Sequence, residues 1–231
     1  MGLLDIFFPK KCVGCGKFGD YICFSCFTKL STSVAPRCLI CGKNSFDGMT
    51  HPTCVGKYTI DGYFAGLNYK GIVKKLLYQF KYKPYLTDLH TTLTDLLHDA
   101  LIQDELFHNL LKTQPIVVPI PLSKIKLRKR GYNQSKLLAK SLGKRLGLSV
   151  QDLLIRTKET KPQYGLKREE RIVNMKDAFG VNEKIKNKNE KLGTILLVDD
   201  VLTTGSTLLE AAKILKRSGC KKVYGVVLAQ D

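Results

Sequence analysis

The stretch Ile195-Leu196-Leu197-Val198-Asp199-Asp200-Val201-Leu202-Thr203-Thr204-Gly205-Ser206-Thr207 decides the fold. A continuous apolar run, begun at Thr194, ends in two acids and passes through a hydroxyl-rich turn around one glycine. Leu208, Ala211, Ala212 and Leu215 then recur at helical spacing, with Gly219 near the end of that helix. Val223-Tyr224-Gly225-Val226-Val227-Leu228 follows as a second apolar strand. Strand, helix and strand, with strands apolar at every position, imply a parallel sheet covered on both faces, an α/β fold. In such sheets ligands sit off the carboxyl ends of the strands.

The turn has the chemistry of a phosphate cup. A helix N-terminus offers unpaired N–H groups and the positive end of its dipole. Gly205 permits close backbone approach, and Thr203, Thr204, Ser206 and Thr207 supply hydroxyls. Charge-assisted hydrogen bonds of this kind contribute about 1.5–3 kcal/mol each. Asp199 and Asp200 would repel a phosphate but suit the hydroxyls of a sugar that carries one, and ribose 5-phosphate fits both halves. The plainer alternative is a helix cap made by Thr and Ser beside a solvated acidic turn. The pattern GxxxxGK[ST] is absent, so an ATPase has no support.

Working outward, Ile116-Val117-Val118 reads as a short buried strand before Pro119-Ile120-Pro121-Leu122. Gly62-Tyr63-Phe64-Ala65-Gly66-Leu67-Asn68-Tyr69 is strand-like. Ile72, Val73, Leu76, Leu77 and Phe80 fall at helical spacing, as do Leu86, Leu89, Leu93, Leu96, Leu97 and Leu101. Leu138, Leu142 and Leu146 mark a helix that stops at Gly147. Residues 181–191, rich in Asn, Lys and Glu, read as a surface loop. His90, His98 and His108 lie in the helical stretch, where a structural role is expected.

Seven of the eight cysteines lie in the first 54 residues. Cys12-x2-Cys15, Cys23-x2-Cys26, Cys38-x2-Cys41 and His51-x2-Cys54 form four pairs separated by 7, 11 and 9 residues. Each such pair aims two ligands at one metal, and zinc takes four in a tetrahedron. Eight ligands fit two closed sites, and sequential pairing gives one all-cysteine site and one of three cysteines and a histidine. Closed sites leave no open coordination position, so this zinc, one ion or two, builds structure. A disulfide framework is the alternative, disfavoured by reduced cytosolic thiols and by the lack of a secretion signal. The sequence thus divides into a zinc module over 1–57 and an α/β domain over 58–231. Cys220 stands apart as a core thiol.

The chain has 231 residues, 38 Lys and Arg against 20 Asp and Glu, and a net charge of +18. Residues 123–191 hold 20 basic and 7 acidic residues, so +13 lies in that segment. Concentrated positive charge attracts phosphate-bearing partners, nucleic acid among them. No apolar window reaches the ~18 residues of a spanning helix. The apolar start, residues 1–9, lacks a basic n-region, and Ile6 argues against myristoylation of Gly2. A soluble cytoplasmic protein without stable membrane insertion is expected.

The segment 199–207 resembles the signature of type I phosphoribosyltransferases, which bind 5-phosphoribosyl 1-pyrophosphate (PRPP). Nearly the full chain resembles the ComF family of competence proteins. The resemblance rests on the Cys pairs and on Leu77-Tyr78-Gln79-Phe80-Lys81-Tyr82 and Val118-Pro119-Ile120-Pro121-Leu122. It extends through Arg128-Lys129-Arg130-Gly131-Tyr132-Asn133-Gln134-Ser135, Arg156-Thr157-Lys158, Gln163, residues 168–174, Asp199 to Thr207 and Leu228-Ala229.

The resemblance implies a type I phosphoribosyltransferase-like sheet behind a zinc-ribbon-type module. It places PRPP, or a related phosphosugar, with Mg2+ on Asp199, Asp200, Thr203, Thr204, Gly205, Ser206, Thr207, Pro119 and Ile120. Asp199, Asp200 and Arg130 would be the catalytic set. Arg128, Lys129, Arg130, Gly131 and Tyr132 would begin a mobile loop that closes over the leaving pyrophosphate, although a basic loop without a ligand fits the same residues. Lys161, Gln163, Arg168 and Arg171 are further candidates without an assigned role. The zinc module and residues 58–112 would form a hood over the site. The family implies work on incoming single-stranded DNA in natural transformation, beside the membrane uptake machinery, with a ComFA-type helicase as partner. Active phosphoribosyl transfer to an unidentified acceptor and PRPP sensing without turnover are the alternatives.

Overall fold

The structure is a computed structural model, and it describes residues 9–32, 34–82, 86–160, 165–182 and 193–231. The apolar start, Lys161, Gln163 and most of the 181–191 loop lie outside these residues.

Six strands occur among the described residues: β1 Gly62–Asn68, β2 Ile116–Pro119, β3 Leu154–Arg156, β4 Phe179–Val181, β5 Thr194–Leu202 and β6 Lys222–Gln230. Four form a parallel sheet in the order β1-β6-β5-β2, and β3 and β4 form a separate antiparallel pair. The helices are α1 Phe24–Phe27, α2 Gly71–Lys81, α3 Leu89–Leu101, α4 Glu105–Leu111, α5 Lys124–Arg130, α6 Gln134–Leu146, α7 Arg168–Met175 and α8 Ser206–Arg217.

The apolar run of β5 is explained by its neighbours. Leu196 and Val198 pack under α2, α3, α4 and α6, in a core with Phe64, Phe80 and Leu138. Ile195 and Leu197 pack in a second core, with Leu208, Ala211 and Leu215 of α8, Met175 of α7 and Phe179 of β4. Both faces are buried, so no position of the run is left for a polar residue. On the sheet's outer edges, Thr50 donates to the Asp61 carbonyl at 3.0 Å beside β1, and Val117 of β2 donates to the Ser149 carbonyl at 2.8 Å. Such cover suppresses edge-to-edge association.

Strand length creates the site. β2 ends at Pro119, opposite Val198, whereas β5 runs on to Leu202. Asp199 and Asp200 therefore stand where β5 has lost its β2 neighbour.

Two expectations change. Arg128 to Arg130, expected to begin a mobile loop, form the last turn of a helix over Lys124–Arg130: the Ser123 side chain caps it by accepting from the Lys126 amide, and Gly131 ends it at φ 79°. A run of basic residues has no apolar periodicity, so its helicity was invisible to pattern. Residues 58–112, expected to form a hood together with the zinc module, contribute β1 to the main sheet and α2 to α4 to the first core, and Tyr69 and Lys81 of this segment stand at the carboxyl edge.

Candidate functional site

The metal centres assemble by sequential pairing. Cys12, Cys15, Cys23 and Cys26 form one cluster, and Cys38, Cys41, His51 and Cys54 the other, with the ligand atoms of each within 4.8 Å of one another. A set of four thiolates and a set of three thiolates with one imidazole both suit structural zinc. The two knuckles repeat one geometry. The Cys12 amide donates to the Lys17 carbonyl at 2.8 Å and the Cys38 amide to Lys43 at 2.9 Å. Gly16 and Gly42 return hydrogen bonds of 2.8 Å to the carbonyls of Cys12 and Cys38. Gly14 has no room for a side chain, since a β-carbon there would stand 2.6 Å from Cys26 Sγ. His51 Nε2 lies 3.0 Å from the Asn44 carbonyl, which leaves Nδ1, 3.3 Å from Cys41 Sγ, turned to the metal position. A ligating histidine held by a backbone carbonyl through its other nitrogen is a common arrangement.

The second site forms where β5 turns into α8. Gly205 is the N-cap of α8 at φ 81° and supplies no side-chain cap to the first-turn amides, although the Ser206 amide donates to Thr204 Oγ1 at 3.5 Å. The turn and the end of β5 line a shallow open cup, with Asp199 on its wall. Thr204 Oγ1 lies 3.2 Å from Ser206 Oγ, and Arg171 Nη1 donates to Thr203 Oγ1 at 2.6 Å.

The two carboxylates, expected to grip one sugar together, have different partners. Asp199 Oδ1 accepts from Ser135 Oγ and from the Asp200 amide, each at 2.9 Å. Burial pushes its carboxyl up to about 7, and the Asp200 charge adds to the rise. The hydrogen bonds and the Lys81 ammonium pull the other way. Asp200 Oδ1 lies 2.7 Å from Lys81 Nζ, a partly buried ion pair at the end of α2.

The remaining candidates are distributed unevenly. Arg130 donates to Gln134 Oε1 at 3.1 Å and lies over the Tyr82 ring at 5.4 Å, whereas Arg128 and Lys129 are exposed on the last turn of α5. Tyr132 donates from its hydroxyl to the Phe80 carbonyl, next to Lys81 in the chain. The Ile120 amide donates to Val198 O at 3.0 Å and its carbonyl accepts from Asn133 Nδ2 at 2.9 Å, so this turn is braced by the sheet. Pro119 ends β2 and carries no N–H. Lys126 is pushed down, first by burial and then by the charges of Arg156 and Arg130. Cations crowd this edge more densely than acids do, the electrostatics of an anion site.

Four residues have no role legible from sequence: Lys81, Ser135, Arg37 and Leu39. Lys81 and Ser135 lie inside the quoted motifs, which signal the segment but not the partner. Arg37 and Leu39 lie beside and between cysteines, where spacing speaks only of metal.

Comparison with known proteins agrees with this geometry. Residues 3–55 match the double zinc ribbon domain, and residues 133–231 match the phosphoribosyl transferase domain. The chain is 35% identical to "Competence protein F" of Haemophilus influenzae over 150 residues, 64% of this chain and 63% of that protein. It is 34% identical to "DNA utilization protein YhgH" of Escherichia coli K12 over 108 residues, 46% of this chain and 45% of that protein. It is 29% identical to "Competence protein ComFC" of Bacillus subtilis over 217 residues, 87% of this chain and 80% of that protein. The chain thus spans less than two thirds of the first two relatives. No helix among the described residues is long and apolar enough to cross a membrane. A double zinc ribbon in front of a parallel sheet with a phosphoribosyltransferase domain makes this chain a homologue of competence protein F and ComFC.

Proposed function

We propose that the chain serves DNA uptake in competence through a cup that binds PRPP, or a related phosphosugar, with Mg2+. The observation that carries this reading is the start of α8 at Gly205, an N-cap without a side chain, beside Asp199 at the open end of β5. The 5-phosphate lies on the 203–207 turn, and the sugar hydroxyls reach Asp199 and, once Lys81 gives way, Asp200. Mg2+, when bound, neutralises charge on the pyrophosphate. Arg130 and Lys126 stand on the side from which the pyrophosphate leaves.

The +13 charge of residues 123–191 draws in incoming single-stranded DNA, and a ComFA-type helicase is the partner. The protein then works in the cytoplasm beside the uptake machinery. Single-stranded DNA affinity should fall steeply with salt, and a flat response would remove the basic segment from the DNA path.

Melting of the full-length, zinc-loaded protein tests the cup. PRPP with Mg2+ at millimolar concentration should raise the midpoint in the wild type, and Asp200→Ala should abolish the rise; no shift in the wild type would refute the reading. Active transfer is the second reading, favoured by the Asp199 carboxyl near 7, a value suited to taking a proton from an acceptor.

A further inference from the structure

Residues beside the second metal centre reach the turn that lines the cup. Leu39, inside the Cys38-x2-Cys41 knuckle, is buried, and its Cδ2 lies 3.0 Å from where a β-carbon on Gly205 would stand. Arg37, the residue before Cys38, donates from Nη2 to the Thr203 carbonyl. Its own amide donates to the Tyr63 hydroxyl at 3.2 Å, and that hydroxyl donates to Gln230 Oε1 at 2.7 Å. From α7, Arg168 Nη2 donates to the Leu39 carbonyl at 3.0 Å while Arg171 holds the Thr203 hydroxyl. Knuckle, turn and α7 thus close a ring of contacts around Thr203.

The first metal centre is built into the other side. A β-carbon on Gly14 would meet Ile72 Cδ1 at 3.2 Å, and Tyr21 donates to Asp88 at 2.7 Å, so this knuckle rests beside α2 and α3. The two centres share a fold and differ in what they hold, which supplies an internal control.

We propose that the second metal centre and the cup form one unit, with Arg37 as a positioning residue for the 203–205 turn and Leu39 as its floor. Four ligand bonds to a bound zinc would fix the backbone around Arg37, and its planar guanidinium needs little further ordering to hold Thr203. A turn held in place before the ligand arrives loses less entropy on binding. Coupling between two sites is reciprocal, so a filled cup also slows loss of the second metal. The coupling to ligand rests on the cup binding a sugar 5-phosphate; the hold of Arg37 on the turn does not.

The test uses the full-length protein loaded with zinc. A chelator with a colorimetric indicator follows zinc release with and without ribose 5-phosphate. One of the two zinc equivalents should leave several-fold more slowly with the ligand, and the other at an unchanged rate. Arg37→Ala should keep both zincs, remove that protection and weaken ribose 5-phosphate roughly tenfold by calorimetry, as loss of one charge-assisted hydrogen bond implies. Arg37→Lys should restore part of the affinity. In the absence of ligand, amide exchange over residues 200–208 should be faster in Arg37→Ala than in the wild type. Equal protection of both zincs, or wild-type affinity and exchange in Arg37→Ala, overturns the proposal. If the wild type fails to bind ribose 5-phosphate, the cup reading and the coupling to ligand both fall; the exchange comparison still decides the role of Arg37.

Discussion

Replacing Asp199 by Asn should make the protein more stable above neutral pH while weakening its ligand site. Burial and the neighbouring Asp200 raise the Asp199 carboxyl from 3.8 to about 7 on folding. Between those values the folded state keeps a proton that the unfolded chain has released. Stability from this group is therefore complete below about pH 4, falls as pH rises and is lost above about pH 7. At about 1.4 kcal/mol per pH unit the full interval corresponds to about 4 kcal/mol, a ceiling because solvent reaches Asp199 through the cup. Asn removes the titration and keeps an oxygen for the Ser135 hydroxyl and the Asp200 amide. Its advantage over Asp should grow by about 2–3 kcal/mol from about pH 5 to about pH 8.5. Urea denaturation of both proteins at the two pH values measures this, and titration of the other groups cancels in the difference. An advantage that stays constant with pH, or an Asn variant less stable at the higher pH, would refute a raised Asp199. Lost binding with gained stability is the usual exchange at a site that holds a buried charge for its ligand.

Lys81→Met should have the opposite sign. It removes the cation that pairs with Asp200 and restrains Asp199, and should cost about 1–3 kcal/mol near pH 8 and less near pH 5, read by the same urea titrations. Gly205→Ala should cost about 1–3 kcal/mol by thermal unfolding, because φ 81° strains an alanine and its β-carbon would press on Leu39. Metal analysis should find two zincs per chain, and Cys12→Ser or Cys38→Ser should each reduce this to one; a wild-type content of one would mean that a four-ligand cluster does not hold metal.

Much of the cup is legible in the sequence because its determinants are local. The apolar run into Asp199 and the glycine before a helix stripe lie within a few residues of each other, and the two members of each Cys pair do as well. Helix α5 escapes pattern for a local reason too: its signals are a Ser123 cap and a Gly131 stop around a stretch with no fully buried residue. Spacing alone leaves the zinc pairing open, and the backbone resolves it by returning each pair to its neighbour.

What the sequence by itself determined is the type of each part: buried parallel strands, an anion-seeking turn, two sets of soft metal ligands and an excess of positive charge. Tertiary structure alone decided who meets whom. Lys81 reaches Asp200, Ser135 reaches Asp199, and Arg37 reaches Thr203 across most of the chain. Periodicity and turn chemistry are set by neighbours along the backbone, so they can be read in order. Charge pairs and packing contacts are chosen by proximity after the sheet has closed, and nothing in local spacing records that distance.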